Sequence, residues 1–338
     1  MNSYPSDKCF DLARLILAVM AIGCTETRNV GSSAPHGLLP VDERDPILLA
    51  NDGVYDNWQG EYAVLLANGG GPRLAGIIVN TSSPWPDLAK NILGWRELVA
   101  AARASGLRNI PDPIASTGAT LVRPASGQVD DTTPNRSEGA HEIVNASLSL
   151  ALPYRPLVIV TGGRLTDVAD AYLIDPTVTE RVVVVSSMGA TTSTGGTMGP
   201  PNGEMDPWAD SVVTARFRFV QVSAFYDQTL DVPSSRLSGL PANPFGAWMA
   251  AKQASIFDLA QAADQVGILA VGIPNFVTAV ESVSAAAPVG TRATVGPDLV
   301  GDPNGLLLLV SQIASAEATN RLWQMLLDPS TYGSGPYP

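Results

Sequence analysis

Carboxylates at a strand-to-helix turn carry the strongest chemical signal in this chain. In the segment PILLANDGVYDNWQGEYAVLLA (46–67), an apolar strand (47–50) runs into a turn bearing Asp52 and Asp56, and an apolar-periodic helix follows. Carboxylates on such a turn converge at the C-terminal end of the strand, where open α/β sheets bind ligands. Two close carboxylates are costly unless a cation or a proton shares them. The turn therefore points to a hard-metal site built from oxygen ligands, with Ca²⁺ the expected ion. A single Asp in such a turn most often caps a helix, so the metal reading needs residues from elsewhere in the chain.

The elements that would position these residues alternate. Continuous apolar runs at 47–50, 74–79, 156–160, 181–186 and 219–223 read as buried strands. Helical spacing marks 87–104, 137–152 and 165–174, and the stretches 246–270 and 306–327 read as later helices. Apolar strands separated by helices argue for an open, mostly parallel sheet covered on both faces, with right-handed crossovers. The chain has 338 residues, enough for one large α/β domain or two small ones. A 45% hydrophobic content supplies a large core. The formal net charge is −12 without a cluster of Lys and Arg, which argues against nucleic acid as a partner.

Lys8 and Arg14 precede the apolar run LILAVMAIGC (15–24), which is too short to span a membrane and has the length of a signal-peptide core. Its ending, Ala-Ile-Gly-Cys24, resembles a bacterial lipobox in which the Cys carries lipid. The alternative is a buried helix. The expected organisation is a signal at 1–23, a polar tether at 24–45, a domain over 46–328 and a loose Gly/Pro/Tyr-rich tail at 329–338. With Cys9 in the signal and Cys24 lipidated, no disulfide is expected. The expected location is the bacterial cell envelope, with the outer membrane facing the periplasm preferred.

Over about 45–328 the chain resembles the inosine-uridine nucleoside hydrolases. Their opening motif, Asp-Thr-Asp-Pro-Gly-x-Asp-Asp, is matched by Ala50-Asn51-Asp52-Gly53-Val54-Tyr55-Asp56-Asn57. Asp52 and Asp56 match, whereas Ala50 and Asn57 replace the first and last Asp. Their Thr-Gly-Pro-Leu-Thr-Asn is matched by Thr161-Gly-Gly-Arg-Leu-Thr-Asp167, their Met-Gly-Gly by Met188-Gly189-Ala190, and their late His-Asp by Ala263-Asp264. A gapped match covers Asn202-Gly203-Glu204 and Asp206-Pro207-Trp208. The resemblance implies the nucleoside-hydrolase architecture and a Ca²⁺ held by Asp52, Asn57, Asp264 and the Thr161 carbonyl. It implies ribose contacts from Asp56, with Asn202 and Glu204 nearby. Ser83 stands near the position of the family's Asn after the second strand. The amide at Asn57 removes one negative charge from the cage, which lowers the expected affinity.

Asp52 is the candidate general base for a water acidified by the metal. Ala263 cannot protonate a leaving base, and the chain has only two histidines. His36 lies in the tether; His141 enters a helix as a candidate acid or as a solvated residue. Trp58, Trp85 and Trp208 each follow a turn at the expected active edge. They either rim a pocket and stack on a base or sugar, or pack at helix starts. Two functions follow. One is a metal-dependent nucleoside hydrolase. The other is a catalytically impaired, lipid-anchored protein that binds a nucleoside or sugar in the same pocket. The oligomeric state, a homo-oligomer included, is left open.

Overall fold

Runs such as Val182–Ser187 become strands because β-branched side chains pack well on a pleated surface, and burial on both faces suits a parallel sheet. The computed structural model describes residues 42–54, 58–153, 155–187, 202–222, 236, 238–256, 265–284 and 306–333. Its strands are β1 (Pro46–Asn51), β2 (Arg73–Val79), β3 (Pro113–Ala115), β4 (Leu157–Thr161), β5 (Val182–Ser187), β6 (Arg218–Val222), β7 (Val277–Ser284) and β8 (Leu306–Ile313). They form one eight-stranded sheet in the order β3-β2-β1-β4-β5-β6-β8-β7. Every pairing is parallel except that of β7 with β8.

Side chains alternate across β1 and feed two cores. Ile47 and Leu49 face one core with the helices α1 (Gln59–Asn68), α2 (Leu88–Ala104), α6 (Pro244–Ile256), α7 (Gln265–Gly272) and α8 (Ser315–Leu327). Leu48 and Ala50 face the other, with α3 (Glu138–Leu150), α4 (Thr166–Ile174) and α5 (Pro207–Arg216). Three of the helices, α2, α3 and α5, start at side-chain caps. Asp87 accepts from the Lys90 amide, Ser137 from the Ala140 amide and Asp206 from the Ala209 amide.

Four expectations change. The stretch 306–327 is strand β8 followed by α8, not one helix. Its Leu306-Leu-Leu-Leu-Val310 run is uniformly apolar, so periodicity alone does not assign it, and pairing with β6 and β7 makes it a strand. The stretch 246–270 holds parts of two helices, α6 and α7, with 257–264 outside the described residues. Residues 42–45, read as the end of the tether, are docked on the domain. Arg155 pairs with Asp42 at 3.3 Å and Asp45 at 2.6 Å, and the Arg73 amide donates to the Asp45 carbonyl. The tail begins docked too: Asp328 caps the turn Pro329–Thr331, and the buried Tyr332 donates its hydroxyl proton to the Leu326 carbonyl. Strands β3 and β7 were not anticipated.

Candidate functional site

From β1 the chain crosses to β2 on one side, and it later returns to β4 on the other. That reversal opens a crevice at the C-terminal ends of β1 and β4, the place where open α/β sheets take ligands. Asp52 follows β1, and Thr161 ends β4 with its Cα opposite Ala50. The Gly162 amide donates to the Ala50 carbonyl and ties the two strand ends together. The structure thus brings together Asp52 and Thr161, two residues 109 positions apart in sequence.

Asp52 is 2% exposed and held from both sides. Its amide donates to Asn51 Oδ1 at 2.6 Å, and its carboxylate accepts from the Gly53 amide at 2.6 Å. Its carbonyl accepts from the Trp95 indole at 3.0 Å. Asn51 in turn donates to Gln59 Oε1 at the start of α1. A side chain at Gly163 would sit 3.3 Å from the Asp52 amide nitrogen, 3.4 Å from Asp52 Cγ and 3.3 Å from Asn80 Oδ1. A glycine there leaves open the space that Asp52 and Asn80 border.

Behind this edge lies a buried polar network. Asp167, on the first turn of α4, accepts from Ser116 Oγ at 2.5 Å, Ser137 Oγ at 3.0 Å and Asn80 Nδ2 at 3.0 Å. Asp170 accepts from the Arg136 and Ser137 amides and from Ser137 Oγ. Asp206 accepts from Thr166 Oγ1 at 2.6 Å and from the Leu121 and Ala209 amides. Burial nevertheless pushes the Asp206 carboxyl up, the three donors and the Arg164 guanidinium opposing it. Arg164 donates to the Gly118 carbonyl. None of Arg164, Asp167 and Asn80 carries a distinguishing signal in the sequence motifs. Their signal is burial of polar residues, which requires the fold.

Several expected site residues lie elsewhere. Trp58 is 0% exposed in the core beneath α1, stacked on Tyr62 and edge-on to Trp323. Trp208 is buried in the core on the opposite face of the sheet, its indole nitrogen donating to Thr132 Oγ1 at 2.9 Å. These two side chains do not rim one pocket. Trp85 does reach the edge: its half-buried ring lies against the Gly53 α-carbon, and Lys90 approaches its ring at 5.8 Å. Ser83 is exposed in the turn after β2, whereas the buried residue at that strand end is Asn80. His141 is exposed on α3. Asn202 is buried and donates to the Ser187 carbonyl at the end of β5, on the same edge as Thr161. Asp56, Asn57, Asp264, Cys24, the motif at Met188 and the Glu204 side chain lie outside the described residues. Among the described residues no three His, Cys, Asp or Glu side chains gather as a metal cluster. The oxygens that are described suit a hard cation: the Asp52 carboxylate, the Thr161 carbonyl and the orphaned, buried Asn80 Oδ1.

An open, mostly parallel α/β sheet with a buried acidic edge at its switch point defines the class. No protein-family model matches the sequence, and no curated protein matches it. Solved structures do match. The inosine-uridine preferring nucleoside hydrolase from Bacillus anthracis superposes with a TM-score of 0.61 at 15% identity, covering 84% of this chain and 99% of its own. An inosine-guanosine nucleoside hydrolase gives a TM-score of 0.58 at 14% identity over 83% of this chain and 98% of its own. The type III effector protein XopQ, solved with adenosine diphosphate ribose, gives 0.56 at 13% identity over 95% of this chain and 97% of its own. The chain has the nucleoside hydrolase fold, as the sequence motifs implied, and is a divergent example of it.

Proposed function

We propose that this chain is a metal-dependent N-glycoside hydrolase acting on nucleosides, with Asp52 as its general base. The single observation that carries this reading is the placement of Asp52 beside Thr161 at the switch point of a nucleoside hydrolase fold. A divalent cation, expected as Ca²⁺, would be held by Asp52 and the Thr161 carbonyl together with Asn57 and Asp264. When bound it would acidify a water and polarise sugar hydroxyls. The chain's own residues do the rest. Asp52, fixed through its amide, carbonyl and carboxylate, accepts the proton from the attacking water. Buried carboxylates at the edge favour the positive charge that develops on the ribosyl ring. Trp85 offers a half-buried aromatic face to the base or sugar. The fold also occurs in hydrolases named for inosine, uridine and guanosine and in an effector solved with ADP-ribose, which supports a ribosyl ligand.

A second reading is a binding protein that keeps the pocket without turnover. It is favoured by Ala50, buried at the end of β1 where the family's first Asp stands, and by Ala263 in place of its late His. Ribose release from a nucleoside panel, with and without Ca²⁺, separates the two. Hydrolysis that Asp52→Asn abolishes while the fold persists establishes the enzyme. Binding without release for every nucleoside and for nitrophenyl riboside establishes the binder. Lipid attachment at Cys24 and an envelope location belong to the same proposal, and they are supported by the lipobox-like run alone.

A further inference from the structure

Asn80 follows β2, and its backbone amide, its carbonyl and its side-chain nitrogen each make a hydrogen bond while Oδ1 makes none. Its amide donates to the Asn51 carbonyl at 2.9 Å, and its own carbonyl accepts from Asn91 Nδ2 at 3.0 Å. Its side-chain Nδ2 donates to Asp167 Oδ2 at 3.0 Å. Oδ1 has no partner although the residue is 1% exposed. The orientation of this amide is dictated by chemistry. Ser116 and Ser137 occupy Asp167 Oδ1, and the Asn80 amide nitrogen occupies Oδ2, which turns the amide oxygen, Asn80 Oδ1, away from Asp167. Oδ1 is thereby forced toward Gly163, into the space that Asp52 also borders.

A buried carbonyl oxygen without a donor is costly to keep and calls for a partner. A carbonyl oxygen and the Asp52 side chain bordering one gap suit a cation or a hydroxyl. The neighbouring Thr161 hydroxyl, also buried and unpartnered, and the Thr161 carbonyl add further oxygens at this edge. Hard divalent cations take six to eight such ligands, amide oxygens among them. We propose that Asn80 Oδ1 is a direct ligand of the divalent cation in this site and that Asp167 is the positioning residue that holds it there. This inference shares its cation with the hydrolase reading, but it concerns which oxygen binds.

Terbium luminescence on the full chain tests it, because the emission lifetime in H₂O against D₂O counts the waters on a bound Tb³⁺. Wild-type protein is expected to bind Tb³⁺ and release it to Ca²⁺. Asn80→Ala should add one coordinated water and weaken Ca²⁺ binding about tenfold or more, and Asp167→Asn should weaken it within about 10–100-fold. Far-UV circular dichroism of each variant shows that the fold persists. If Asn80→Ala does not fold, Asp167→Asn carries the test, with extra water on the bound ion as its signature. An unchanged water count and Ca²⁺ affinity in the folded variants overturn the assignment and leave the hydrolase reading standing. Wild-type protein that binds neither ion overturns both.

Discussion

At Gly163 a single hydrogen decides whether Asp52 and Asn80 keep their positions. A methyl there would meet Asn80 Oδ1 and the Asp52 amide nitrogen at 3.3 Å, tight but not prohibitive. Gly163→Ala is therefore expected to leave the fold intact while weakening Ca²⁺ and ribose binding, as read by calorimetry. Gly139 is a sharper case. A methyl would fall 2.7 Å from both Asp167 Oδ1 and Ile78 Cγ2, so neighbours must move. Gly139→Ala should cost about 1–3 kcal/mol in urea unfolding, the ordinary price of overpacking. Asp52 and Thr161 were legible in the sequence because each follows an apolar run at a strand end. Asn80 was not, since the resemblance to the family points to the turn residue Ser83. The reason is that the role of Asn80 depends on Asp167, a partner 87 residues away.

At the scale of elements, the tryptophans show what a helix start does to a side chain. Trp58 immediately precedes α1, and its ring turns down into the core against Tyr62 and Trp323. Trp208, on the first turn of α5, packs on the other side of the sheet. Sequence position placed all three tryptophans near strand C-termini, but the face each one takes is set by packing. Trp58→Ala should destabilise the protein by about 3–5 kcal/mol in denaturant unfolding, the cost of deleting a buried aromatic. Trp85→Ala, at a half-buried position, should instead weaken nucleoside binding and lower stability less. Equal stability losses for the two variants would contradict this division. Strand β8 was misread for a related reason. A run of leucines suits a buried helix and a buried strand alike, and only its neighbours β6 and β7 decide.

For the whole molecule, acid is the condition that should reveal the balance of carboxylates. The Arg44 side chain holds the Asp42 carboxyl well below the usual carboxylate range. Hydrogen bonds from the Thr117 amide lower Glu138, and the Thr177 hydroxyl lowers Asp175. Groups lowered in the fold stabilise it above their ordinary titration range and lose that contribution as pH falls through their depressed values. Asp206 has the opposite sign. Raised by burial, it favours the folded state at low pH, and that contribution is lost as pH rises through its folded value. Among the described residues more carboxyls are lowered than raised, so unfolding free energy in urea should decline on acidification below about pH 4. Each surface group contributes at most about 1 kcal/mol. A protein that grows more stable between pH 5 and pH 3 would show that Asp206 dominates. Preferential binding to the folded chain should also make the melting temperature rise with Ca²⁺. An Asp264→Ala variant is expected to lose that rise.

The sequence by itself determined the layered α/β architecture, because buried parallel strands need apolar runs and their crossovers need helices. It also determined the carboxylate after the first strand and the Thr that ends β4, since both are local features of a strand terminus. Tertiary structure decided the rest. It set the switch point between β1 and β4, which follows from the order of strands rather than from any one of them. It sent Trp58 and Trp208 to opposite faces of the sheet. It made Asn80 a buried acceptor by placing Asp167 at its amide nitrogen. Each of these outcomes depends on contacts between segments far apart in the chain, and no local pattern of residues encodes which distant partner a side chain will meet.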